Sequence, residues 1–481
     1  MLIAELGKEL GQAEFGDSRL SKRLAVIAEA TGNQSNASFP SAMKPRAELE
    51  ACYRFFDNPK VTPERILRPH IEATYSRIAE TNFAVIAQDT TEIDLTRPNQ
   101  QVRGAGPMSS EKRRGAFFHP SIAFDQSGVS LGIVGSHIWT RTKLNTDDRS
   151  TKDKKREATP IEEKESYRWL QGFHQAKEVA LRCPETTCVS VSDSEADIYE
   201  LFSLVDQQRA ENLHVIVRGC KNRRTAPGGH WVEQARKSEI IATHTVNVRS
   251  RKAKTNAETL PRKSSRSART AQIEVRRATV TIKRPHSASK DCSETVTVNI
   301  VLCEERNPPE GETAISWNLV TTMPIETDED VQRVIETYCL RWQIEVYFRT
   351  LKSGCRIEER QFETIGRVKN CLALMSVLAW RLMYVCYLGR ECPDIDCEVI
   401  FTPGEWKSVY AILDLPEPAE GCPKLRDLVR AIASLGGFID RPKNEPGAQT
   451  LWRGLQRAFD LSTAWDIFGP GAKKNLPELS V

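Results

Sequence analysis

The sequence lacks the short signatures of several large enzyme classes. It contains no Walker sequence, no nucleophile elbow and no H-E-x-x-H pair, and its eight histidines are dispersed along 481 residues. The thirteen cysteines form no C-x-x-C, and the closest pairs, Cys183 with Cys188 and Cys392 with Cys397, have no partners at zinc-site spacing. Reduced and mostly buried thiols are therefore expected. Met1 to Gly11 lacks the basic and then apolar regions of a secretory signal, so a cytoplasmic protein is expected. Long apolar runs are also scarce. Cys371 to Leu388 is barely long enough to span a bilayer and carries Arg381 near its middle, so it reads as a buried helix.

The overall composition, 40% hydrophobic and 27% charged, is that of a globular chain, which excludes a membrane bundle and a largely disordered protein. At this length a single core is not expected, because such cores stop growing at roughly 250 to 300 residues. The charge sum is 68 − 64 = +4, but the charge is unevenly spread. Between Arg218 and Lys290, 19 Lys and Arg face only Glu233, Glu239, Glu258 and Glu274, or +15, which leaves −11 for the remainder. Beyond Arg390, 10 basic residues face 14 acidic ones, a balance that favours a protein partner over phosphate.

Up to about residue 75 the pattern is one of short helices, with Leu20, Leu24, Ile27 and Ala28 at helical spacing and Asp17 or Ser18 as a cap. Arg19, Lys22 and Arg23 fall within about one turn and line either a solvated face or a DNA-facing one. From Phe83 the period changes. Phe83 to Ala87 reads as a strand buried on both faces, and Phe117 to Phe124 and Val129 to Trp139 form a hairpin about Asp125-Gln126-Ser127-Gly128. A helix from about Pro160 to Leu181 follows, then a strand at Thr187 to Ser192, a helix at about Ala196 to Gln208 and a strand at His214 to Val217. This order predicts a mixed sheet flanked by helices. Cys220 to about Ser316 reads as an inserted β-rich segment, with strands at Thr243 to Val248 and Ala271 to Ile282. Between them lies a basic loop carrying Arg251, Lys252, Lys254, Arg262, Lys263, Arg266 and Arg269. One long helix is predicted from about Glu329 to Gly354.

Two aspartates, Asp89 and Asp193, stand immediately after short apolar strands, where side chains emerge from a rigid sheet. On the predicted long helix, Tyr338, Arg341, Glu345, Arg349 and Lys352 share one polar stripe at about 100° per residue, while Ile344, Tyr347, Phe348 and Leu351 form an apolar face. The stripe is either an i, i+4 salt-bridge face or a carboxylate held among phosphate-binding cations. Two Asp and one Glu suit phosphodiester chemistry. Mg²⁺ takes oxygen ligands from few protein carboxylates and leaves room for phosphate oxygens, and paired ions serve both the attacking and the leaving oxygen.

The spacing Tyr338-x2-Arg341-x3-Glu345-x6-Lys352 resembles the Y-R-E-K signature of the insertion-sequence-four group of DDE transposases, and the chain is most similar to the transposon-five branch of that group. Asp89-Thr90-Thr91 resembles the family's first catalytic Asp, and Asp193-x-Glu195-Ala196-Asp197-Ile198 the second. Similar stretches include Ala51 to Phe55, Asn58-Pro59 with Val61, Glu163 to Ser166, Asn307 to Pro309 with Gly311 to Thr313, and Leu435 to Phe438.

The resemblance implies an RNase H-like α/β fold, a mixed sheet with an inserted β subdomain, between helical N-terminal and C-terminal domains. The corresponding boundaries are 1–75 for DNA binding, 76–385 for catalysis with the insertion at 219–316, and 386–481 for dimerisation. It implies a cut-and-paste transposase that binds transposon ends, cleaves through a hairpin and joins the ends to target DNA as a homodimer, within the bacterial cytoplasm and on the nucleoid when bound. Asp89, Asp193 and Glu345 would bind two Mg²⁺, with Mn²⁺ as substitute. Tyr338, Arg341 and Lys352 would hold phosphates, Trp317 would stack on a flipped base, and Arg218, Arg349, Arg19, Lys22 and Arg23 would contact DNA. Phe348 and Arg349 depart from close relatives, which touches end specificity rather than catalysis. A non-catalytic DNA-binding regulator derived from a transposase, and a metal-dependent nuclease of the same fold, are the competing expectations.

Overall fold

A computed structural model of the chain describes residues 2–33, 37–43, 46–144, 151, 158–226, 228–248, 250, 266–418, 421–441 and 444–470. Two compact units emerge, one of residues 1–80, 90–144 and 343–481, the other of residues 81–89 and 145–342. The strands, in chain order, are β1 (Phe83–Gln88), β2 (Thr91–Asp94), β3 (Gly106–Pro107), β4 (Arg114–Asp125), β5 (Ser130–Trp139), β6 (Thr187–Ser192), β7 (Leu213–Arg218), β8 (Ile240–Val248), β9 (Arg269–Lys283), β10 (Thr295–Arg306) and β11 (Ser316–Thr321).

In the second unit β1, β6 and β7 run parallel, and β11, β10, β9 and β8 continue the sheet antiparallel. The mixed sheet predicted from the alternation of strands and helices is thus present. β1 is buried along nearly its whole length, as a continuous apolar run covered on both faces should be, and β6 is buried as fully although Ser190 and Ser192 alternate with its valines. The Tyr199–Gln208 helix makes the crossover from β6 to β7. The inserted strands bond into this same sheet, since β10 pairs with β11 and β9 with β10 over twelve residue pairs. A core of Val85, Val189, Val191, Ile216, Val301, Leu319, Val331, Val334 and Tyr338 joins the sheet to the Asp328–Leu340 helix. Most of the basic loop, from Arg251 through Lys263, lies outside the described residues.

In the first unit β4 pairs with β2, β3 and β5. The β4–β5 turn forms as its sequence directs: Asp125 accepts the Ser127 and Val129 N–H groups, each at 2.9 Å, and Gly128 takes a left-handed φ of 90°. The sequence signature of a nucleophile elbow, read above as absent, does occur once as Gly128-Val129-Ser130-Leu131-Gly132, yet Ser130 is buried at the start of β5 in a hairpin, so no strand-to-helix elbow forms there. The long apolar run is the Ile365–Glu391 helix, whose most hydrophobic window is 78% buried inside the protein. Arg381 on it is buried, and Trp380 packs at a tilt of 58° against the imidazole of His70 with ring centres 4.5 Å apart. The C-terminal helices Pro403–Ile412, Leu425–Leu435 and Ala448–Phe468 pack round a further core. Gly454 allows the closest approach, because a Cβ there would lie 1.7 Å from the Ile432 carbonyl oxygen.

The single helix expected over Glu329 to Gly354 is not observed. It stops at Leu340, turns through Arg341 and Trp342 with i→i−3 bonds (Arg341 N–H to the Tyr338 carbonyl, 3.1 Å), resumes over Gln343–Arg349 and widens to a π-turn at Thr350–Gly354. The helix predicted to begin near Pro160 begins at Tyr167, after a short 3₁₀ turn at Ile161–Glu163.

Candidate active site and nucleic-acid interface

Asp89 and Asp193 each lie two residues beyond Ala87 and Val191, which face each other on the parallel strands β1 and β6. The two carboxylates therefore leave the sheet at the carboxyl ends of neighbouring strands, the usual place for ligands in open α/β sheets. Gln88 fixes the spacing just before them by donating to the Ser190 hydroxyl at 3.1 Å. Arg341, in the turn that ends the Asp328–Leu340 helix, places its guanidinium 2.8 Å from Asp89 Oδ2. Both side chains are mostly buried, at 14% and 18% exposure. Asp193 caps the turn that follows it, accepting the Glu195 N–H at 2.8 Å.

The residues after Asp193 build the scaffold of this site. Glu195 receives the Arg168 guanidinium at 2.5 Å. Arg168 is pushed below the usual guanidinium range by burial, which the carboxylates of Glu195, Glu165, Asp193 and Asp89 partly offset. Asp197, fully buried, accepts the N–H groups of Cys220 and Lys221 at 2.7 and 2.8 Å and the Nε of Arg223 at 3.0 Å. That ion pair moulds the loop leaving β7, whose last residue is the half-buried Arg218, opposite Leu319. Sequence reasoning missed Arg168 and Arg223. The only available signal was their nearness in sequence to Ser166 and to Arg218.

Tyr338 does not lie on an exposed stripe. It is 5% exposed within the core, its hydroxyl is raised by burial, and its ring meets Trp317 edge-on at 5.9 Å. Trp317, on β11 opposite Cys303, is half-buried against that core.

In the first unit, Glu345 and Lys352 are half-buried, and Arg349 is exposed. Lys352 pairs with Glu358 at 3.2 Å, and Glu358 also accepts the Asp94 N–H at 2.9 Å. Ile344, Tyr347, Phe348 and Leu351 are buried as predicted. Thr90 hydrogen-bonds His119 at 2.9 Å. In the N-terminal region Arg19 is exposed and paired with Asp17 at 2.9 Å, Lys22 is exposed, and Arg23 is bonded to Glu48.

The basic segment is less cationic in three dimensions than in sequence. Arg236 pairs with Glu304 at 2.7 Å, Arg269 with Glu305 at 2.7 Å and also with Glu312, and Arg276 with Glu274 at 2.9 Å. Most of these carboxylates lie beyond residue 290, so a window sum over 218–290 overstated the charge. Arg269 in particular is an internal strut and not a member of a solvated loop.

Among the described residues no three His, Cys, Asp or Glu side chains stand together as a metal-ligand group. The donor set at the strand ends nevertheless suits a hard cation, since Asp89 and Asp193 offer only carboxylate oxygens and Mg²⁺ is commonly held by one or two of them.

Three family models match the chain: transposase DNA-binding over residues 6–61, transposase DDE domain over 173–382, and transposase Tn5 dimerisation domain over 377–464. A solved structure, the cryo-EM piggyBac transposase synaptic complex with hairpin DNA, aligns with 96% of this chain and 80% of its own at 8% identity, with a TM-score of 0.38. That likeness is too slight to argue from. The chain belongs to the DDE transposases. Within them it resembles the Tn5 transposase, whose dimerisation domain its C-terminal region matches.

Proposed function

We propose that the protein is a cut-and-paste transposase in which Asp89, Asp193 and Glu345 form the metal-binding catalytic triad. The observation that carries this reading is the side-by-side exit of Asp89 and Asp193 from parallel strands, with the Arg341 guanidinium on Asp89. The triad would hold two Mg²⁺, with Mn²⁺ as a substitute, which supply activation of a water or hydroxyl and stabilise the leaving oxygen. The protein's own groups do the rest. Arg341 neutralises a carboxylate beside the reacting phosphate, and Lys352 and Arg349 bind backbone phosphates. Arg218 borders the same strand ends from β7. Trp317, half-exposed beside Tyr338, would stack on an extruded base and so favour a hairpin intermediate, while Tyr338 acts by supporting that ring.

Arg19, Lys22 and Arg23 would read the transposon end, target DNA would be joined by the same site, and two copies would pair through the C-terminal region in the synaptic complex. The domain boundaries 1–75, 76–385 with 219–316 inserted, and 386–481 belong to this reading, as does a cytoplasmic, nucleoid-bound location. The test uses DNA taken from the flanks of the coding region, incubated with protein and Mg²⁺ and resolved on a denaturing gel. Hairpin-ended product followed by joining is expected. Cleavage without joining would instead identify a nuclease, and binding without cleavage a regulator.

A further inference from the structure

Of the thirteen cysteines, eight are buried. Cys397 is one of these, and it stands beside the half-exposed Cys422. Backbone pairing brings the two together: Asp396 and Lys424 form an antiparallel bridge, Cys397 N–H donates to the Pro423 carbonyl at 2.9 Å, and Leu425 N–H to the Ile395 carbonyl at 2.8 Å. Lys424 Nζ adds an ion pair to Asp396 at 2.8 Å. The two thiols lie within hydrogen-bonding reach of each other. The covalent loop that they would close contains the whole Pro403–Ile412 helix, inside the stretch matched as a Tn5 dimerisation domain.

We infer that Cys397 and Cys422 are a thiol–disulfide modification site, oxidised by small-molecule disulfides to an internal cross-link that pins the Pro403–Ile412 helix to the start of the Leu425–Leu435 helix. The half-exposed Cys422 is the attacking group. Its thiolate displaces one thiolate from the oxidant, giving a mixed disulfide. Cys397 then attacks the Cys422 sulfur and releases the second thiolate. Two protein thiols lose their protons and become one disulfide, and the oxidant's disulfide becomes two thiols. Cys397 suits the second role, since burial, aided by Cys422, Glu398 and Asp396, pushes its thiol up and leaves it a poor initiator. The same acidic surroundings favour a neutral oxidant over an anionic one.

The experiment treats the full-length protein with 2-hydroxyethyl disulfide, blocks remaining thiols, digests with trypsin and maps linkages by mass spectrometry. The expected result is a cross-link between peptides 391–407 and 408–424 that fragments at Cys397 and not at Cys392. It should reverse with a thiol reductant and be absent from Cys422→Ser. Since Cys397→Ser could disturb the core, Cys392→Ser serves as the second variant and should leave the cross-link intact. A stable mixed disulfide on Cys422 with Cys397 still alkylated, or a linkage that moves to Cys392, overturns the inference.

Discussion

Removing the guanidinium of Arg341 exposes the physical basis of the site most sharply. Asp89 and Asp193 leave adjacent strands together, and Arg341 meets Asp89 at 2.8 Å with both side chains over four-fifths buried. An exposed ion pair is worth at most about 1 kcal/mol, and breaking a fully buried one costs roughly 3 to 5 kcal/mol. The observed partial burial, with one charge-assisted hydrogen bond, places Arg341→Ala at about 2 kcal/mol, or about 30-fold in a local opening equilibrium. Native-state hydrogen exchange at the amides of β1 and β6 reads that loss where it occurs. A double-mutant cycle with Asp89→Asn, which keeps the shape and removes the charge, isolates the pair. Coupling of about 1.5 to 3 kcal/mol is expected. Coupling below about 0.5 kcal/mol would refute the claim that Arg341 holds the first carboxylate in place.

Other predictions concern the rest of the chain. Gly454→Ala should destabilise the C-terminal helices by about 3 kcal/mol or more, read as their thermal midpoint, because the new methyl meets the Ile432 backbone; an unchanged midpoint would mean that the helices are not so closely packed. His70 is fully buried and its imidazole is lowered from 6.5, first by desolvation, with Glu9 opposing. Its neutral form donates Nδ1–H to Glu9 at 2.7 Å and accepts the Ile133 N–H at Nε2, 3.0 Å. The unfolded chain thus binds the proton more readily, so this stabilisation is present above about pH 6.5 and is lost as pH falls below it. Stability measured from pH 7.5 to 5 should fall, and His70→Gln should flatten the slope; equal slopes would contradict the assignment. For DNA binding, neutralising Arg262 and Lys263 should reduce the salt slope by about 0.9 for each phosphate that they neutralise, whereas Arg269→Gln should chiefly destabilise β9 by orphaning Glu305. An unchanged slope in the first variant would mean that Arg262 and Lys263 do not contact DNA.

The parts of this molecule that could be read from sequence are those governed by local pattern. Phe83 to Ala87 is a continuous apolar run and Thr187 to Ser192 a β-branched and small-residue run, and both became buried parallel strands, while Asp125 to Gly128 carried the chemistry of its own turn. The aspartates at the strand ends followed at once from those strands. The break at Arg341 and Trp342 left only a faint trace, a shift of the apolar face from Val331, Val334 and Tyr338 before it to Ile344, Tyr347, Phe348 and Leu351 after it, and what stands at the turn is an Arg reaching a residue 252 positions away. Long-range ion pairs escaped for the same reason. Nothing within the Arg269 neighbourhood announces Glu305 as its partner, and nothing near Arg168 announces Glu195. Window charge therefore read structural struts as a polycation. Tyr338 was read as a polar face because tyrosine suits either environment, and only the packing of the Asp328–Leu340 helix on β11 places it in the core.

The central claim is tested most directly by Mg²⁺-dependent cleavage of transposon-end DNA by Glu345→Gln, alongside Asp89→Asn and Asp193→Asn, each checked for end binding by gel shift. The account predicts that all three bind the end as the unaltered protein does and lose cleavage by at least about 100-fold, the scale on which removal of a transition-state interaction is felt. Undiminished cleavage by any one of them would contradict it.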